Sequence, residues 1–218
     1  MMKRRAFFSG AASLAAAGAA LSPLALMAQA KLPKVGVDYV KLNQAAPVEA
    51  PAGKIEVIEF FWYSCPHCSA FEPVLAEWVK RLPKDVAFRR LPIAFRDDYV
   101  PQQHLYFTLE AMGLLDKFHA RVFAAIHGER QNLVKAEAIT EWMVQQGVDR
   151  AKFQASFSSF STSTKVRRAT QLMNAYNIEG VPALGVAGRF YTDGSLAKSM
   201  DAALSVTDFL IAEVRAKR

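Results

Sequence analysis

EFFWYSCPHCSAFE, residues 59–72, holds both cysteines of this 218-residue chain, Cys65 and Cys68, with Pro66 and His67 between them. It begins inside an apolar run, IEVIEFFW at 55–62, whose β-branched and aromatic residues lack helical spacing and predict a buried strand. A helix is predicted next. Ser64 is the candidate N-cap, Pro66 fits the first turn where its missing N–H costs nothing, and Phe71, Val74, Leu75, Trp78 and Val79 recur at helical spacing. Cys65 is thereby placed at a strand-to-helix junction.

That position sets its chemistry. The first backbone N–H groups of a helix are unpaired and the helix dipole puts positive potential there, so a thiolate is stabilised. His67 adds to the effect when it is protonated or donates a hydrogen bond. Cys68 lies one turn further in and should be more buried. The expectation is an exposed, activated nucleophile with a second thiol in reach, the minimum for thiol–disulfide exchange through a mixed disulfide.

The chain opens MMKRRAFFSGAASLAAAGAALSPLALMAQA. Lys3, Arg4 and Arg5 make a basic start, the middle is rich in Ala and Leu, and Ala28-Gln29-Ala30 fits a small-x-small cleavage site. Residues 1–30 read as a cleavable export signal, with Arg4-Arg5 ahead of Phe7 and Phe8 loosely like a twin-arginine signal. Removing them leaves 188 residues and takes away three basic and no acidic side chains, so the net charge falls from +7 to +4. A mildly basic domain with no Arg/Lys stripe interleaved with aromatics does not point to nucleic acid. A single domain with a good core is expected, as a monomer, since no coiled-coil segment is visible.

An exported chain can use two cysteines as a staple, but a bridge spanning two residues closes too short a loop to stabilise much. Reactivity is the better reading. Zinc is disfavoured because one C-x-x-C supplies two ligands and His104, His119 and His127 show no spacing that completes a tetrahedral site. No metal and no cofactor are expected.

Working outward, residues 31–53 form an arm with an edge strand at 35–42, and 86–95, VAFRRLPIAF, reads as a second strand. Strand, helix, strand implies a parallel βαβ pair, with the dithiol beyond the carboxyl end of the first strand. Residues 98–164 change to helical patterns broken at Gly113, Gly128 and Gly147, an inserted helical subdomain whose three histidines read as surface or packing residues. A helix at about 164–177 leads to Gly180-Val181-Pro182, a hairpin of 183–187 and 189–192 joined near Gly188, and a closing helix from Asp201 or Thr207.

This order, strand, C-P-H-C at a helix start, strand, helical insertion, helix, G-V-P, hairpin, helix, is similar to the DsbA family of bacterial periplasmic thiol oxidases across essentially all of residues 31–218. The resemblance implies an α/β thioredoxin fold in two parts, 31–97 and 165–218, interrupted by the helical subdomain at 98–164. It implies Cys65 as attacking thiolate, Cys68 as resolving thiol, Pro66 and His67 as the tuning pair, and a cis Pro182 against the dithiol with Val181 offering backbone groups to a substrate. Glu59 stands where the family has a buried acid. Its own surroundings, Val57, Ile58, Phe60 and Phe61, make an unpaired carboxylate costly there, although a carboxylate at the strand's edge paired with a lysine is the alternative. Trp62, Tyr63, Ser69 and Glu72 read as packing or helix-surface residues. The implied partners are unfolded exported cysteine-containing proteins and a DsbB-like membrane quinone reductase, in the periplasm. A periplasmic isomerase or reductase kept reduced is the nearest alternative, and a non-enzymatic holdase the second.

Overall fold

The apolar run after residue 54 becomes β2, Ile55–Phe61, in which every residue is buried. It is the strand on which the others are laid. The computed structural model describes residues 32–217, and the expected export signal at 1–30 lies outside them. A five-stranded sheet runs in the order β1 (Val40–Lys41), β5 (Phe190–Asp193), β4 (Ala183–Val186), β2, β3 (Val86–Pro92). β3, Val86–Pro92, pairs parallel to β2 in the register Ile55↔Val86 to Phe61↔Pro92. β4, Ala183–Val186, and β5, Phe190–Asp193, form the hairpin, with β4 antiparallel to β2.

The alternation of side chains along β2 divides the core. On one face Ile55, Val57, Leu184 and Val186 pack with Phe71, Leu75 and Trp78 of α1, Pro66–Lys80, and with Leu210, Ile211 and Val214 of α7, Met200–Ala216. On the other, Ile58, Phe60 and Leu91 meet Leu105 and Leu109 of α2, Val100–Ala111, and Ala169, Leu172 and Tyr176 of α6, Phe160–Tyr176. Between α2 and α6 lie α3, Leu115–Phe123, a π-helical turn, Ala124–Gly128, α4, Ala136–Gln145, and α5, Arg150–Phe157. Each fully buried large apolar side chain contributes about 1.5–3 kcal/mol. Among the described residues no helix is long and apolar enough to cross a membrane.

Four local expectations shift. The edge strand foreseen at 35–42 shrinks to β1, Val40–Lys41, because residues 34–39 fold on themselves instead: Gly36 takes φ +77°, its N–H donates to the Tyr39 carbonyl at 2.7 Å, and the Lys34 N–H donates to the Asp38 carboxylate at 2.8 Å. β3 stops at Pro92, short of residue 95. α6 begins at Phe160 with Ser159 as its cap, and α7 at Met200 with Ser199 as its cap, both earlier than the apolar spacing suggested. The hairpin turn is made by Ala187 at φ +52° and Gly188 at φ +66°, the paired left-handed geometry whose twist matches the strands it joins. A side chain at Gly188 would run into the Ala46 carbonyl.

Candidate active site

After Phe61 the chain leaves the sheet in a tight turn, the Cys65 N–H donating to the Trp62 carbonyl at 3.0 Å, and enters α1 at Pro66. The N-cap is Cys65 rather than the expected Ser64. Its Sγ accepts the Cys68 N–H at 3.4 Å, while the Ser64 hydroxyl turns to Gln102, accepting from its Nε2 at 2.7 Å. The nucleophile is thus its own helix cap. Hydrogen bonding from Cys68, first through its thiol and then through its backbone N–H, together with the His67 N–H and the His67 ring charge, lowers the Cys65 pKa from 9.0 to about 6 against the opposing effect of burial.

Cys65 is less open than its place at the junction suggested, with 6% of its surface accessible. The Val181 carbonyl closes over it, 3.4 Å from Sγ, and the Val181–Pro182 peptide is cis. Pro66 and His67 are exposed, and His67 lines a cleft of about 350 Å³ with Gly180, Val181, Pro182 and Met200. Cys68 is wholly buried, and burial, then the hydrogen bond to Cys65, drives its pKa far above the ordinary thiol value. Both cysteines are free thiols. One helical turn therefore separates a sulfur that ionises readily from one that resists ionisation.

Behind Cys68 lies a buried acid. Glu59 is fully inaccessible and sits opposite Arg90 in the β2–β3 register, its Oε2 3.1 Å from Arg90 Nε. The partner is an arginine from the neighbouring strand, not a lysine. Neither Glu59 oxygen has a well-aligned hydrogen bond among the described residues; Arg90 is an ion-pair neighbour that also donates to Glu72, from Nη2 to Oε1 at 2.5 Å and from Nε to Oε2 at 3.3 Å. Burial raises the Glu59 pKa from 4.5 to about 8, Arg90 opposing and the Glu72 charge reinforcing. Glu59 therefore keeps its proton at neutral pH, and only its ionised form pushes the Cys68 pKa up.

Glu72 is not the packing or helix-surface residue expected. Its side chain is 12% accessible and pairs with both Arg90 and His119. The signal was its place four residues after Cys68, hence on the same face of α1. Arg90 was likewise signalled by two adjacent arginines in a half-buried strand, which must point to opposite faces. The histidines expected at surface or in packing all carry hydrogen bonds. His104 Nδ1 meets the Phe157 carbonyl at 2.8 Å, His119 Nδ1 meets the Tyr63 hydroxyl at 2.9 Å, and His127 Nε2 donates to the Tyr63 carbonyl at 2.8 Å.

The family model for the DSBA-like thioredoxin domain matches residues 56–205. The thiol:disulfide interchange protein DsbA of Bordetella parapertussis is 47% identical over 200 residues, spanning 91% of this chain and 95% of that protein. The DsbA of Burkholderia cepacia is 39% identical over 186 residues, 85% and 88% of the two chains. The crystal structure of Pseudomonas aeruginosa DsbA superposes with a TM-score of 0.79 at 40% identity, covering 84% of this chain and 94% of that one. With the dithiol at a helix start in a thioredoxin-like sheet, these matches establish that the chain belongs to the DsbA family of thiol:disulfide oxidoreductases.

Proposed function

We propose that this protein is a dithiol oxidase that donates its Cys65–Cys68 disulfide to newly exported, cysteine-containing proteins in the periplasm. The observation that carries the reading is the asymmetry of the pair: Cys65 Sγ caps the start of α1 and accepts the Cys68 N–H, whereas Cys68 is wholly buried behind it, so the Cys65 pKa is lowered to about 6 and that of Cys68 is pushed the other way. Stabilising the Cys65 thiolate stabilises the reduced enzyme relative to its disulfide, which makes that disulfide oxidising. The fold is read as thioredoxin-like segments 31–97 and 165–218 around a helical insertion at 98–164, the whole exported on a cleavable signal at 1–30.

A substrate thiolate attacks the Cys65 sulfur. The Cys65–Cys68 bond breaks, a substrate–Cys65 bond forms, and Cys68 leaves with the electron pair. A thiolate buried there is costly, so it takes the proton held on Glu59. A second substrate thiolate then attacks the substrate sulfur of the mixed disulfide and expels Cys65 as the stabilised thiolate. The substrate has lost two electrons and the enzyme has gained them. Val181 and Pro182, with His67 beside them, supply the backbone groups and cleft wall against which the substrate strand lies while this happens. A DsbB-like membrane quinone reductase returns the pair to the disulfide.

The test is the equilibrium potential of Cys65/Cys68 in a glutathione buffer. A potential well above the glutathione couple is expected. A value near thioredoxin's, about −270 mV, would instead make the protein a reductant or isomerase.

A further inference from the structure

The turn that presents Cys65 is held from outside the sheet. Trp62 lies edge-on against Tyr99 at 4.2 Å between ring centroids. Tyr63, 1% accessible, is gripped at both ends, its hydroxyl by His119 of α3 and its backbone carbonyl by His127 of the π-helical turn. Ser64 is bonded by Gln102 of α2, whose Nε2 also donates to the Leu133 carbonyl at 2.9 Å. Three consecutive residues immediately before the nucleophile are therefore fixed by the helices that follow β3.

The two histidines reach one tyrosine because the helix changes its winding between them. Eight residues of uninterrupted α-helix carry a side chain about 80° past its starting face. The π-helical turn at Ala124–Gly128 winds more widely and takes up part of that surplus, which brings His127 back toward the face that carries His119. Phe123 stacks on the His127 ring at 6.2 Å and meets the His119 ring edge-on at 5.3 Å, so both rings are braced. The tautomers follow from the neighbours. His119 Nε2 faces the Glu72 carboxylate at 3.4 Å, which favours the tautomer with its hydrogen there and leaves Nδ1 to accept from the Tyr63 hydroxyl. His127 donates from Nε2, since a carbonyl can only accept.

We propose that His119 and His127 are positioning residues for the Cys65 nucleophile, acting through Tyr63 as a two-point clamp by which the helical region holds the active-site turn in register with the start of α1. The clamp fixes the Trp62–Cys65 turn, and that turn decides whether Cys65 Sγ lies where the Cys68 N–H can reach it. Both histidines act at a distance and neither touches sulfur. The inference deepens the reading of Cys65 as attacking thiolate and rests on it.

The experiment compares His127→Leu with His127→Gln in the reduced protein, following the Cys65 thiolate by its ultraviolet absorbance against pH and the potential against glutathione. Leucine removes the donor and keeps the bulk, whereas the glutamine amide restores an N–H. His127→Leu is expected to lower the thiolate-to-thiol ratio at a fixed pH near the Cys65 pKa about three- to tenfold, a tenfold change being about 30 mV in potential, with His127→Gln within about twofold of the parent. A His127→Leu protein that titrates like the parent overturns the clamp, and so does an equal shift in both variants. If the leucine variant does not fold, imidazole nitrogen NMR of the unaltered protein decides: the His119 and His127 ring signals should move between its oxidised and reduced forms, and unmoved signals refute the coupling. A parent protein with an ordinary Cys65 pKa would defeat the reading of the nucleophile itself, a separate result.

Discussion

Glu56 and Glu59 stand three residues apart on β2, both buried to within 1% of complete inaccessibility, yet the fold treats them differently. Glu56 Oε1 accepts from Arg89 Nε at 3.1 Å and from the Glu49 N–H at 2.9 Å. Glu59 faces an arginine whose hydrogen bonds go to Glu72, and it has none of its own among the described residues. An odd spacing puts the two carboxylates on opposite faces of the strand, and the Arg89-Arg90 pair answers them one to each face. A buried carboxylate with dedicated donors holds the arm at Glu49 to the sheet. One that must share its arginine with a second carboxylate keeps a proton instead.

Replacing Glu59 by glutamine puts the greatest strain on this contrast. A pKa raised from 4.5 to about 8 means that the native state keeps a proton which the unfolded chain has released. The carboxyl's contribution to stability is therefore fully present below about pH 4.5 and is lost as pH rises through 8. Glutamine does not titrate. Glu59→Gln should match the parent below about pH 4 and exceed it by ~2–4 kcal/mol at pH 8, read from urea unfolding at a series of pH values. A variant less stable than the parent at pH 8 would mean that Glu59 is held as an ion.

The same substitution at Glu56 should have the opposite sign and a smaller size. Glutamine can still accept from Arg89 and Glu49, but without charge assistance, and a loss of ~1–2 kcal/mol follows at neutral pH. Urea unfolding at pH 7 checks it. Equal signs for the two variants would abolish the distinction between the carboxylates.

Much of this could be read in the chain. The buried strand, the helix starting at Pro66 and the hairpin near Gly188 follow from local residue types, and the dithiol lies where strand and helix meet. What escaped were pairings made across the fold. Nothing in the spacing connects His119 or His127 to Tyr63, and both connections depend on how α3 and a π-helical turn pack over the turn at 62–65. The cap was misplaced by one residue: Cys65 caps α1, and the Ser64 hydroxyl faces Gln102 of α2 instead of the helix. In the sequence Glu72 reads as a packing or helix-surface residue, although it stands four residues after Cys68 and so on the same face of α1. Its arginine belonged to a strand whose register the sequence does not print.

Glu72 is where the contrast can be tuned rather than broken. Its charge raises the Glu59 pKa, and it also anchors the Arg90 guanidinium, which lowers it. Glu72→Gln removes the repulsion but weakens the anchor, so the sign depends on whether Arg90 stays. Two contacts argue that it does: Arg90 is fixed opposite Glu59 by the β2–β3 register, and its guanidinium lies over the Phe88 ring at 5.3 Å. With the anion gone and the arginine undivided, the Glu59 pKa should fall by about one unit, or about 1.4 kcal/mol. The protonated carboxyl band in the infrared, identified by its loss in Glu59→Gln, should then bleach at lower pH. A band that persists to higher pH than in the parent would show that Arg90 had followed Glu72, making the anchor worth more to Glu59 than the repulsion it brings.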